Sequence, residues 1–178
     1  MTYHKWQWMG LFPPSPGGGK EVAHGYKGKG SLLHLLVDHL GNGIAITTTA
    51  ANGDERQEVE KLLNRIDIHL HRKELRGRMV ILQADRGYDC AWLRQALLIR
   101  NIFPLIPYRK ISGRETMATQ DICQTFYLTK NRWVVERAFA WLKRRCRRLM
   151  LRWERLPEIW GGFATLGLVY TWLKNLVG

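Results

Sequence analysis

The sequence predicts an α/β domain: a mixed sheet with helices packed on it. Short β-branched and apolar runs separated by turn residues fill the first half. A second apolar run, residues 79–84 (MVILQA), stops on an acid. Two long segments in the last third carry apolar residues at helical spacing.

Residues 1–12 (MTYHKWQWMGLF) alternate loosely and are read as a strand with a poor signal. PPSPGGG at 13–19 is a loop, and KEVAHGYKGK at 20–29 is expected to be an exposed turn. LLHLLV at 32–37 and IAITTT at 44–49 flank DHLGNG, a turn sequence whose Asn42-Gly43 step favours an antiparallel hairpin. DERQEVEKLLNRI at 54–66 opens with acids and places Val59, Leu62, Leu63 and Ile66 one helical face apart. Residues 89–99 read as a helix, and IFPLIPY at 102–108 as a strand held to the sheet edge by its prolines. Residues 110–124 are polar and loop-like. Helices are expected at 132–149 and 157–177.

The 178 residues suit one domain spanning 1–178. Twenty-eight Lys+Arg against 15 Asp+Glu give a net charge of +13, which favours a polyanion such as nucleic acid over acidic or neutral partners. Three scattered cysteines without a CxxC pair exclude a zinc ribbon or a disulfide framework and fit a reducing, cytoplasmic setting. No segment has the length of a membrane span, so no membrane partner is expected.

Asp85 ends the apolar run 79–84, where a carboxylate faces the crevice used for ligands in open α/β sheets. Its competing role is to cap the turn through Gly87, with Asp89 capping the next helix. On the 132–149 segment, Arg132, Glu136 and Lys143 fall within ~40° of one another, with Phe139 and Arg147 on the same ribbon. One acid in a cationic stripe suits a metal-binding carboxylate between phosphate-binding cations, or else a surface pair of Arg132 with Glu136. Residues 130–155 hold ten basic residues and two acids, interleaved with Trp133, Trp141 and Trp153. Cations neutralise phosphates and aromatics stack on unpaired bases; Trp141 is read as core instead. The alternating His69 and His71 fit a solvated helix end better than a metal pair. A strand acid and a helix acid together point to two-metal phosphoryl transfer, with Mg²⁺ as the hard ion such carboxylates prefer.

These residues resemble a known family. ADRGYD at 84–89 is similar to the second-aspartate motif of DDE-type bacterial insertion-sequence transposases. Arg132, Glu136 and Lys143 resemble the R-E-K part of their terminal signature. GYKGKG at 25–30 with HLLVD at 34–38, and ANGD at 51–54, also look like family features. The similarity runs from about residue 17 onward.

The resemblance implies a ribonuclease-H-like mixed sheet flanked by helices. It also implies three carboxylates binding Mg²⁺ or Mn²⁺, with Asp85 second and Glu136 third as catalytic and metal residues. Arg132, Lys143, Arg147, Lys27 and Lys29 would bind DNA, both transposon ends and target. In the family, water attacks the terminal phosphodiester and the freed 3′-hydroxyl then attacks target DNA. Two departures stand out. Thr129 occupies the place of the signature tyrosine, with Tyr127 out of register. The first aspartate is missing, and the best alignment puts Met9 there. Residues 1–37 contain no Asp and only Glu21 as an acid. The chain is therefore expected to have an incomplete or degenerate first strand, to be N-terminally truncated relative to the family, and to be defective in cleavage and strand transfer. The alternative is a noncatalytic DNA-binding or inhibitory remnant, partnering itself or an intact transposase.

Overall fold

The computed structural model describes residues 3–70, 79–109 and 133–177. Ten elements follow in chain order: strands β1 (Tyr3–Leu11), β2 (Ala23–Gly25), β3 (Gly28–Val37) and β4 (Gly43–Ala50), helix α1 (Glu55–Leu70), strand β5 (Met79–Gln83), helix α2 (Ala91–Ile99), strand β6 (Ile102–Leu105), and helices α3 (Trp133–Arg145) and α4 (Pro157–Val177).

They build one mixed sheet. β1 lies at its centre, antiparallel to β3 and parallel to β5; β6 extends β5 in parallel, while β4 and β2 both pair with β3. The weakly signalled first strand is thus paired from end to end, by β5 over Tyr3–Gln7 and by β3 over Gln7–Leu11, and any degeneracy is confined to its side chains. The expected hairpin forms, with its turn held by Asp38. Its Oδ1 accepts from the backbone N–H of Leu40 and of Asn42, each at 2.8 Å. β6 sits at the edge, as its Pro104 favours.

Alternation along the strands splits the core in two. Trp6 and Trp8 of β1, Leu36 of β3 and Leu82 of β5 face α1 and α2, packing on Leu62, Leu63, Leu93 and Leu97. Leu33, Leu35 and Val37 face the other way, onto Val135, Phe139 and Leu142 of α3 and Trp160 of α4. Helices therefore cover both faces of the sheet.

Three expectations change. Residues 20–29 are not simply a turn, since β2 and the start of β3 fall within them. Helix α3 ends at Arg145: Cys146 leaves helical geometry (φ −122°, ψ 66°), and a 3-10 turn, Arg147–Met150, then buries Leu149. Arg147 is therefore off the stripe that carries Glu136 and Lys143. Phe139 is 2% exposed and belongs to the core, because the α3 face packed on β3 is wider than the predicted stripe allowed. No helix among the described residues is long and apolar enough to cross a membrane.

Candidate active site and nucleic-acid surface

The site begins where β1 and β5 run side by side. Their parallel register pairs Gln7 with Gln83. Two residues beyond that last pair stand Met9, still on β1, and Asp85, just past the end of β5. The buried side chains of the two glutamines meet, with Gln7 Nε2 donating to Gln83 Oε1 at 3.4 Å. Gln7 Oε1 in turn accepts the backbone N–H of Val135 at 3.1 Å, in the first turn of α3. That N–H belongs to the set every helix start leaves without an intrahelical acceptor. The sheet centre supplies one, and Glu136, next in sequence, is exposed in the same first turn.

Asp85 is exposed and starts a 3-10 turn, Arg86–Tyr88. Its Oδ1 accepts from the backbone N–H of Gly87 at 2.7 Å, so the capping role read from the sequence is real. Asp89 does not cap α2. Its Oδ1 accepts from Arg94 Nε at 2.9 Å and its Oδ2 from the N–H of Arg109 at 2.6 Å, while Cys90 is the capping position and makes no side-chain cap bond.

A cleft of about 320 Å³ opens beside Asp85, lined by Asp54, Glu55, Arg56, Gly87, Tyr88 and Arg109 among others. Glu136 is not in its lining. Arg56 Nε donates to the carbonyl of Gly87 at 3.1 Å, tying the start of α1 to the Asp85 turn. The Tyr88 hydroxyl donates to Glu55 Oε2. Burial and the negative charge of Glu55 push that phenol well above its ordinary pKa, so it stays a proton donor. Glu55, Arg56 and Arg109 did not emerge from sequence reasoning. Acids in a first helical turn are explained by the helix dipole alone, and only the fold shows that this turn borders Asp85.

The described residues do not assemble a three-carboxylate metal centre. Among the described residues no group of three or more His, Cys, Asp or Glu side chains could hold an ion. Met9, two residues beyond Gln7 on β1, offers a thioether, a soft donor poorly matched to Mg²⁺ or Mn²⁺. Its side chain packs instead into the apolar layer under α3.

The cations are arranged as follows. Lys143 is exposed in the last turn of α3, two turns from Glu136. Lys27 and Lys29 are exposed at the β2–β3 hairpin, and Arg147 is exposed on its 3-10 turn. Trp133 and Trp153 are more than half exposed, whereas Trp141 is half-buried with Arg137 over its ring at 4.8 Å. Arg132, Tyr127, Thr129 and His71 lie outside the described residues.

Three comparisons bear on this arrangement. Residues 11–172 match the family model described as "Transposase DDE domain". The chain is 37% identical, over 142 residues, to the putative transposase for insertion sequence element IS402 of Burkholderia cepacia. That match covers 78% of this chain and 60% of the relative, so the chain spans about three fifths of the relative's length. Among solved structures, one chain of the cryo-EM structure of the piggyBac transposase synaptic complex with hairpin DNA superposes with a TM-score of 0.56 at 10% identity. It covers 92% of this chain and 45% of that one. A chain of the simian T-cell lymphotropic virus intasome in complex with PP2A regulatory subunit B56 gamma superposes at 0.53 with 17% identity, covering 94% and 48%. At these identities the two structures speak for the fold, which is the ribonuclease-H-like one. Family model, relative and sheet agree: this chain belongs to the DDE transposase family of insertion sequences.

Proposed function

We propose that this chain is a DNA-binding transposase core whose phosphoryl-transfer centre lacks one carboxylate, so that cleavage and strand transfer at insertion-sequence ends are strongly impaired. The observation that carries this reading is the parallel register of β1 and β5, in which Met9 and Asp85 each follow two residues after the Gln7–Gln83 pair. On the sequence reading, a thioether stands where the family's first acid is expected. In the family, divalent metal supplies the activation of the attacking oxygen and the stabilisation of the leaving one. With Asp85 and Glu136 alone, Mg²⁺ or Mn²⁺ would be held weakly. DNA binding does not need the missing group. A net charge of +13 and the exposed Lys27, Lys29, Lys143 and Arg147 support it, with Arg132 assigned by the family signature. A noncatalytic or inhibitory partner of an intact transposase, or of a second copy, is the biological role that fits such a core.

The test is Mg²⁺- and Mn²⁺-dependent nicking of a duplex carrying the element's ends. The chain as it stands should nick at or near background, and Met9→Asp should raise nicking by orders of magnitude. That gain should vanish when Asp85→Ala or Glu136→Gln is added. Robust nicking by the unaltered chain that survives Asp85→Ala would sink the assignment. DNA binding itself should weaken steeply with salt and be little changed by Glu136→Gln.

A further inference from the structure

We propose that the tip of the β2–β3 hairpin and the neighbouring Trp153 form a stacking surface for unpaired DNA bases. This inference rests on the DNA-binding reading above and adds the kind of DNA preferred.

Tyr26 is 105% exposed, so its whole ring stands in water at the tip between β2 and β3. Nothing in the fold explains an aromatic there. Lys27 follows it, and Lys29 lies across the hairpin from His24, all of them exposed. Trp153 is 59% exposed and borders the Gly17–Gly19 loop. A Cβ on Gly17 would come 3.0 Å from the Trp153 carbonyl, and one on Gly18 would come 3.6 Å from Lys29 Nζ. Trp153 and Lys29 therefore flank one glycine loop, and Tyr26 stands at the tip of the hairpin that carries Lys29. Lys20 and Arg155 join the same edge, with the N–H of Lys20 donating to the carbonyl of Arg155 at 3.0 Å.

The surface is held rigidly from beneath. The fully buried Arg152 donates to the carbonyl of Lys20 at 2.7 Å, to Ser31 Oγ at 2.7 Å, and to the carbonyls of Glu154 and Glu21 at 2.9 and 3.2 Å. These bonds fix both strands' approach to the hairpin and the segment carrying Trp153. At Gly25 the backbone packs so closely on Ala51 that a Cβ would sit 2.4 Å from its carbonyl oxygen. Pre-set aromatics lose little freedom on binding. Ring faces of bases are hidden inside a duplex and offered only at frayed ends, overhangs and single strands. Aromatics flanked by cations are the chemistry that captures them, worth ~1–3 kcal/mol per stacked base.

The experiment compares the affinity of the whole chain for a blunt duplex and for the same duplex with a short single-stranded overhang carrying 2-aminopurine. The overhang should tighten binding roughly 5- to 100-fold and quench the 2-aminopurine. Tyr26→Ala and Trp153→Ala should remove most of that preference, and Tyr26→Phe should keep it. Both side chains are exposed, so folding is not at stake. Equal, salt-sensitive binding of blunt and overhang DNA overturns the stacking surface while leaving the DNA reading intact. The same holds if Tyr26→Ala weakens both DNAs equally. Failure to bind either DNA overturns both readings.

Discussion

Gln7 and Val135, 128 residues apart, are joined by a buried hydrogen bond that seats the first turn of α3 on the central strand. A helix start buried without an acceptor is costly, and Gln7 Oε1 is the acceptor here. Gln7→Leu keeps the volume but strips the bond, so it should lower unfolding stability by about 1–3 kcal/mol. Urea denaturation reads this directly, and an unshifted midpoint would show that α3 finds its seat another way.

His34 makes stability depend on pH. Its ring stacks on Trp8 with centroids 5.5 Å apart, and its Nε2 lies 2.8 Å from Thr49 Oγ1. Burial, and secondarily the positive charge of Lys61, lower its pKa from 6.5 to about 4. As pH falls, the unfolded chain takes up a proton first and the folded chain only near 4. The contribution is therefore complete above 6.5, is lost between 6.5 and 4, and is flat below. About 3 kcal/mol is at stake over that window. His34→Gln should flatten this part of a midpoint-versus-pH curve; an unchanged curve would assign the dependence elsewhere.

Arg152 is a buried cation satisfied mainly by carbonyls. Arg152→Met leaves several of those acceptors without a donor and should cost about 3–5 kcal/mol, enough to threaten folding. Arg152→Lys keeps the charge but cannot reproduce the fork, so it should recover only part of the loss. Thermal melts of the two variants decide between a geometric role and a purely electrostatic one, which would predict full recovery.

Gly19 has φ +114°, and a Cβ there would come 2.4 Å from the carbonyl oxygen of Arg155. Gly19→Ala combines a disfavoured backbone with a clash against main chain, and should cost more than the ~1 kcal/mol typical of a tolerated glycine change. Gly28→Ala has an equally positive φ, +110°, with nothing within 4 Å, and should be milder. Comparable losses in the two melts would mean that backbone preference alone sets the effect.

Much of the fold was legible because period and turn chemistry are local. The run at 44–49 could hardly be anything but a strand, and Asn42-Gly43 announced its partner. β6 revealed its edge position through Pro104. What stayed hidden depends on contacts between distant segments. β1 alternates its residues between two cores, so its pattern looks weak although it is central. Phe139 looked exposed because α3 is covered over more of its circumference than one stripe. Arg152 looked like one more member of a basic run, although among the described residues of that run it alone is fully buried. At the site, Asp85 was readable from the strand end it terminates. The border with Glu55, Arg56 and Arg109 required the fold, since nothing in a first helical turn says which strand end it meets.

The close approach at Gly10 has a consequence for how this gene can change. A Cβ at that position would lie 2.7 Å from Glu55 Oε2, so a carboxylate placed there would press on another. Position 9, one residue earlier on the same strand, is where the family's first aspartate is expected. Its present occupant is methionine, and every base of a methionine codon must change to encode aspartate. On the proposed reading, a return to aspartate by single steps would pass through intermediates that gain nothing, so lineages carrying this methionine should keep a strand without that acid.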